Sequence, residues 1–213
     1  MTNSTALHIS NLVCRFGSTP VVDDVNLAIA PGEHVAIVGS NGSGKTTLLR
    51  AILGLHPIYA GQIVVDHVHA QSAADWRQRQ QRIAWMPQRQ ATGQFPLLVH
   101  ELLASSRNPT VAHDIASQLE VGMLADRPLH ALSGGQLQRV FLARALGSIA
   151  GGAGLLLADE PTAALDFGGQ AAVATVIAAQ QVTVLVVTHD RTMASHCGRV
   201  IEMANGRARE VTS

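Results

Sequence analysis

A continuous apolar run, His34 to Val38, leads without interruption into Gly39-Ser40-Asn41-Gly42-Ser43-Gly44-Lys45-Thr46, and then into a stretch of helical periodicity, Thr46 to Leu55, stopped near Gly54 and Pro57. A strand with no polar alternation is buried on both faces, and such strands belong to parallel sheets covered by helices. The octapeptide meets the pattern G-x-x-x-x-G-K-[ST] at every fixed position, in the strand, loop and helix order that the pattern requires. Gly39, Gly42 and Gly44 let successive N–H groups converge on a phosphate. Lys45 brings a cation to the phosphate oxygens, and the Thr46 hydroxyl suits Mg²⁺. The candidate phosphate contacts are therefore Gly39, Ser40, Asn41, Gly42, Ser43, Gly44, Lys45, Thr46 and Thr47.

The basic residues sharpen this reading. Fourteen are Arg and one is Lys, and that one is Lys45. A slim ammonium enters a backbone nest where a planar guanidinium does not fit.

Upstream, Leu7 to Val13 and Val21 to Ile29 alternate apolar and polar residues around Phe16-Gly17-Ser18-Thr19-Pro20, which predicts antiparallel strands joined by a turn. Downstream, Gly61 to Asp66 reads as a strand, Ser72 to Arg82 as a polar, Arg-rich helix, and Ile83 to Met86 as a short strand ending at Pro87-Gln88. From Arg89 to Ala131 periodic apolar positions in Val99 to Ser106 and Val111 to Leu124 predict an inserted helical lobe. Gly135 to Leu146 and Gly169 to Ala179 read as helices, Leu155 to Ala158 and Val182 to Thr188 as buried strands, and Val200 to Met203 as the last strand. Gly147 to Gly154, with four glycines in eight residues, reads as a loose loop. The expected fold is α/β, in one domain. A phosphate-loop (RecA-like) core with a parallel sheet occupies 1–88 and 136–213, an antiparallel β subdomain lies at its amino-terminal end, and 89–135 form the helical subdomain.

Composition excludes several function classes. The 213 residues are 47% apolar but only 3% aromatic, so the core must be built of Val, Leu, Ile and Ala. Fifteen acidic and fifteen basic residues cancel, which leaves no overall basic field to hold nucleic acid. Cys14 and Cys197 have no C-x-x-C spacing, so neither a disulfide framework nor a zinc site is expected, and reduced thiols suit the cytosol. Met1 to Ile9 lacks the basic residue that precedes the apolar stretch of a secretory signal. Gln180 and Gln181 break the best apolar run, Ala171 to Val187, short of a membrane span. Action at a membrane would require another polypeptide to span it.

Further chemistry gathers at the ends of the predicted strands. Leu155 to Ala158 delivers Asp159 and Glu160 to the sheet edge where open α/β sheets bind ligands. Asp159 is the candidate Mg²⁺ partner beside Thr46, and Glu160 the candidate base that orients and deprotonates water; the alternative is a pair of solvated acids. His189 follows another apolar strand and would come out on the same edge to contact a γ-phosphate or water, although a lone surface His fits the same position. Gln88 closes a strand and opens the helical lobe, so its amide can sense Mg²⁺ and γ-phosphate. Phe16, in a turn, is either an exposed ring that stacks on a base or a core residue. His67 and His69 sit at strand spacing without a third ligand and read as loop histidines. Arg77, Arg79, Arg82 and Arg89 read as a solvated helix face, with contact to an acidic partner as the alternative.

A second anion cradle lies at Leu132-Ser133-Gly134-Gly135-Gln136-Leu137-Gln138-Arg139, where a serine and two glycines expose N–H groups at a predicted helix start. Together with Phe16, the phosphate loop, Gln88, Leu155 to Glu160, Ala163 to Asp166 and His189, this octapeptide resembles the ATP-binding cassette family over nearly the whole chain. The resemblance implies an ATPase using ATP and Mg²⁺, with Glu160 as base, His189 as γ-phosphate contact and Gln88 as coupling residue. It also implies a head-to-tail dimer in which Ser133, Gly134, Gly135 and Gln136 of one copy cap ATP on the other, with Asp166 crossing the interface. Phe16 stands where the family usually has Tyr, Ala163 where Ser is frequent, Ser40 where Pro is common, and Gly147 to Gly154 looks a few residues long. Separate short cassettes resemble importer subunits that dock on integral membrane permeases at the inner face of the cell membrane and, through them, serve an extracytoplasmic binding protein. Gln94-Phe95-Pro96-Leu97-Leu98-Val99-His100-Glu101 is similar to a stretch of zinc, manganese or iron-chelate cassettes, with Leu98 in place of Thr. Zinc or manganese is the expected cargo, and a soluble cassette ATPase, for example in iron–sulfur assembly, is the alternative.

Overall fold

The computed structural model describes residues 4–88 and 96–211. Along the chain, β1 (Leu7–Phe16) and β2 (Thr19–Ile29) form a hairpin, β3 (His34–Val38) feeds the phosphate loop and α1 (Lys45–Leu53), and β4 (Ala60–Val65) turns back as β5 (Val68–His69). Then come α2 (Ala73–Arg82), β6 (Ile83–Met86), α3 (Val99–Ala104), α4 (Pro109–Gln118), two single 3₁₀ turns and α5 (Gly134–Ala150). The chain closes with β7 (Leu155–Asp159), α6 (Phe167–Ala178), β8 (Thr183–Val187), α7 (Arg191–Ser195), β9 (Arg199–Ala204) and β10 (Arg207–Glu210).

The strands form two sheets. An antiparallel one has the order β2-β1-β4-β5. The other, in the order β10-β9-β3-β8-β7-β6, is parallel except for β10, and β3 is central in it, as its unbroken apolar run requires. Strand alternation divides the core in two. Val35, Ile37, Leu155, Leu157, Leu185 and Val187 face α1 and the antiparallel sheet, while Ala36, Leu156, Ala158, Val184 and Val186 face α5, α6 and the helices after β6. The carboxyl ends of β3, β7 and β8 thus open on one edge, between two packed layers.

Several boundaries differ from expectation, each for a local reason. β1 runs on to Phe16, which pairs with Thr19, so the turn shrinks to Gly17-Ser18. Gly147 is not in a loose loop: α5 continues to Ala150, and a Cβ on Gly147 would come within 2.6 Å of the Ala112 Cβ, so the glycine permits α4 to pack closely on α5. Met203 does not end the last strand, because Asn205 and Gly206, both with positive φ (49° and 79°), form a two-residue turn into β10. His67 and His69 do not share a strand face, since Asp66 and His67 have φ of 50° and 65° and form the β4–β5 turn. Among the described residues no group of three or more His, Cys, Asp or Glu could hold a metal ion. The arginines of α2 are not one solvated face. Arg79 is fully buried against the Trp76 ring, 4.9 Å from its centroid, and burial pushes its guanidinium down to about 10. Arg77 is exposed and Arg82 pairs with Asp66 at 3.0 Å, while Arg89 lies outside the described residues, as do Gln94 and Phe95.

Candidate nucleotide site

At the sheet edge a cavity of about 470 Å³ is lined by Phe16, Val21, residues 41–47, Gln88, Asp159, Glu160 and Val187. Five separated stretches of sequence therefore meet where β3 and β7 end. The phosphate loop is held from outside itself. A Cβ on Gly39 (φ 148°) would lie 2.1 Å from the Met203 carbonyl oxygen, and one on Gly44 (φ 103°) 2.2 Å from that of Val21. The Gly206 N–H, in the β9–β10 turn, donates to the Ser43 carbonyl at 3.1 Å, and the Asp23 N–H donates to the Gly206 carbonyl at 2.8 Å. The loop is thus wedged between β2 and β9, and these supports were not foreseen. Asn-Gly at 205–206 was the readable signal for one of them.

Lys45 is buried at the start of α1, and its ammonium donates to the carbonyls of Gly39 and Ser40, both at 2.8 Å, and to Ser43 Oγ at 3.3 Å. Burial pushes its pKa down, while the nearby Glu160 and Asp159 carboxylates pull it up. Asp159 is 2% exposed, and its Oδ1 has no hydrogen-bond partner. Burial pushes its pKa up, and a hydrogen bond from Thr46 opposes the shift. A buried carboxylate oxygen without a donor, next to a threonine hydroxyl, is a hard-oxygen pair of the kind that takes Mg²⁺.

Glu160 follows with a positive φ of 49°, unusual for a non-glycine residue and more so before Pro161. Its Oε2 lies 2.8 Å from His189 Nδ1 and accepts from the His189 N–H at 3.3 Å. The Glu160 side chain is 7% exposed and that of His189 70%, so a buried carboxylate carries an open imidazole. Phe16 is 57% exposed at the cavity rim, its ring edge-on to His56 with centroids 4.8 Å apart, which removes the core reading. Gln88 is exposed and lines the cavity.

The second cradle stands apart. Ser133 caps α5, its Oγ accepting from the Gln136 N–H at 3.2 Å while the Ser133 N–H donates to Gln136 Oε1 at 3.0 Å. The helix starts at Gly134, so its dipole end faces the predicted way. Asp166 caps α6, accepting from the Gly169 N–H at 2.8 Å. Neither Ser133, Gly134, Gly135 and Gln136 nor Asp166 lines the cavity. Gln138, whose Nε2 donates to the Glu160 carbonyl at 2.9 Å, is a residue that the sequence reading passed over.

A phosphate loop with an acidic strand end in an α/β sheet defines a nucleoside-triphosphate-hydrolysing class of protein. The family model described as ABC transporter matches residues 22–163. The chain is similar to the zinc import ATP-binding protein ZnuC of Cereibacter sphaeroides, 41% identical over 87% of this chain and 73% of the relative. It is also similar to the manganese transport system ATP-binding protein MntB of Listeria innocua, 34% identical over 86% and 80% of the two chains. Among solved structures, the dimeric post-hydrolysis state of the ATP-binding cassette MJ0796 bound to ADP and Pi superposes with a TM-score of 0.82 at 27% identity, covering 97% of this chain and 99% of that one. The chain belongs to the ABC transporter family. It is an ATP-binding, ATP-hydrolysing subunit of that family.

Proposed function

We propose that this subunit hydrolyses MgATP in a head-to-tail dimer and thereby drives import of zinc or manganese through separate membrane permeases. The observation that carries the reading is the split between its two cradles: Lys45, Asp159 and Glu160 share one cavity, and Ser133 to Gln136 do not line it. A second copy supplies Ser133, Gly134, Gly135 and Gln136 to the nucleotide, and Asp166 lies along the interface between the copies. Phe16 stacks on the adenine, and residues 39–47 cradle the phosphates. Mg²⁺ would be held by Thr46, Asp159 and Gln88, and when bound it would neutralise charge on the β and γ phosphates. Glu160 takes the proton from the attacking water, and His189, oriented by Glu160, holds the γ-phosphate. The core of 1–88 and 136–213 binds nucleotide, and the helical lobe of 89–135 meets the permease at the inner face of the membrane. The zinc and manganese relatives support the cargo.

The test has two arms. Glu160→Gln should bind ATP and remain dimeric in light scattering, and a variant that turns over at the native rate sinks the assignment of the base. In cells lacking their own zinc or manganese cassette, the gene should restore uptake of one of these ions; growth restored only on an iron chelate would replace the cargo and leave the ATPase reading intact.

A further inference from the structure

Gln138 is a polar side chain that the scheme above does not use. It is 4% exposed, and its Nε2 donates to the Glu160 main-chain carbonyl at 2.9 Å. That carbonyl also accepts from the Ala163 N–H at 3.2 Å, while the Glu160 N–H donates to the Val187 carbonyl at 2.8 Å. Both peptide groups of Glu160 are therefore clamped around a backbone with φ of 49° that a residue before proline avoids. A strained geometry persists only where its surroundings impose it, and here the surroundings include α5.

The position of Gln138 on α5 gives the bond its meaning. Ser133 caps that helix, and Gln138 lies five residues further on, about 7.5 Å along the axis. Ser133 and Gly134 are exposed at the start of the helix, and Gln138, one turn further in, is buried against Glu160. We propose that Gln138 is the positioning residue for Glu160 of its own chain, carried on the helix whose N-terminus serves the partner's nucleotide. One rigid helix thereby touches one ATP site and sets the base of the other. Displacement of α5 on closure moves the clamp on the Glu160 carbonyl, and with it the carboxylate that holds His189 at 2.8 Å. The inference rests on the composite-site reading, and its test separates the two.

Gln138→Met keeps the chain length and removes the N–H donor. In the unmixed protein it should leave the KM for ATP within about twofold and lower kcat by roughly tenfold to a hundredfold, the cost of a misplaced catalytic group. A risen KM with native kcat overturns the proposal, and Gln138→Leu repeats the measurement should the Met variant not fold. The cis claim needs mixed dimers, purified through two tags, in which one chain carries Ser133→Arg and the other Lys45→Ala. One working site then remains, with the loop and Glu160 of the first chain and the Ser133 cradle of the second. Gln138→Met on the first chain should cost at least fivefold more activity than on the second. Equal losses, no loss, or a larger loss on the second chain overturns the proposal. If the mixed dimer without Gln138→Met is already inactive, the composite-site reading fails, and the KM and kcat split still decides the role of Gln138.

Discussion

His189 Nδ1 lies 2.8 Å from Glu160 Oε2, and the two side chains differ tenfold in exposure, at 70% and 7%. The carboxylate fixes one ring nitrogen and leaves Nε2 as the group free to meet a ligand. His189→Ala should therefore lower kcat by roughly a hundredfold while ATP still binds, because the loop and Lys45 are untouched. Steady-state hydrolysis beside nucleotide-binding titrations checks this, and a variant with native kcat would show the pair to be structural.

Much of this site was legible because its parts lie at ends of buried strands. The runs at His34 to Val38, Leu155 to Ala158 and Val182 to Thr188 announce a parallel sheet, and in such a sheet whatever follows each strand comes to one edge. Lys45, Asp159, Glu160 and His189 all follow such runs. What stayed hidden depends on contacts across the fold. Gln138 and Glu160 are 22 positions apart, and nothing in either local pattern says that an amide on α5 reaches that carbonyl. The wedge of Met203 and Val21 carbonyls against the loop glycines is equally non-local. Gly147 misled because a glycine that admits a neighbouring helix looks, in sequence, like one that loosens a loop.

The wedge makes its own prediction. Gly39→Ala would set a Cβ 2.1 Å from the Met203 carbonyl oxygen, and backbone cannot yield as a side-chain tip can. The variant should lose about 2–4 kcal/mol in urea unfolding and most of its nucleotide affinity. A native urea midpoint would mean that β9 does not confine the loop.

Leu98 caps α3 without a side-chain acceptor, although Glu101 already supplies the reciprocal half of a capping box through the Leu98 N–H. Leu98→Thr adds the missing hydroxyl, which can accept from the Glu101 N–H. The gain should be about 0.5–1 kcal/mol, near 2–3 °C in a melt. An unchanged or lower melting temperature would show that the packing lost with the leucine outweighs the cap.

Asp159 should expose a conflict between stability and function. Its carboxyl is 2% exposed, its Oδ1 has no donor, and burial raises its pKa above the ordinary 3.8. A carboxyl with a raised folded-state pKa binds its proton more tightly when folded, so its contribution to stability is fully present below 3.8 and is lost as pH rises through the raised value. At neutral pH the buried charge therefore works against folding, and the Thr46 hydrogen bond offsets only part of the cost. Asp159→Asn removes the charge and keeps the shape, so the free protein should gain about 1 kcal/mol at pH 7, roughly 2–4 °C. The difference between the two proteins should shrink as the pH is lowered toward 3.8. Mg²⁺ with ATP should raise the melting temperature of the wild type more than that of Asp159→Asn, and hydrolysis by the variant should fall because, of the residues proposed to hold the cation, Asp159 is the one that carries a charge. A variant less stable than wild type at pH 7 would mean that the carboxylate is satisfied by the fold itself and is not held in readiness for a cation.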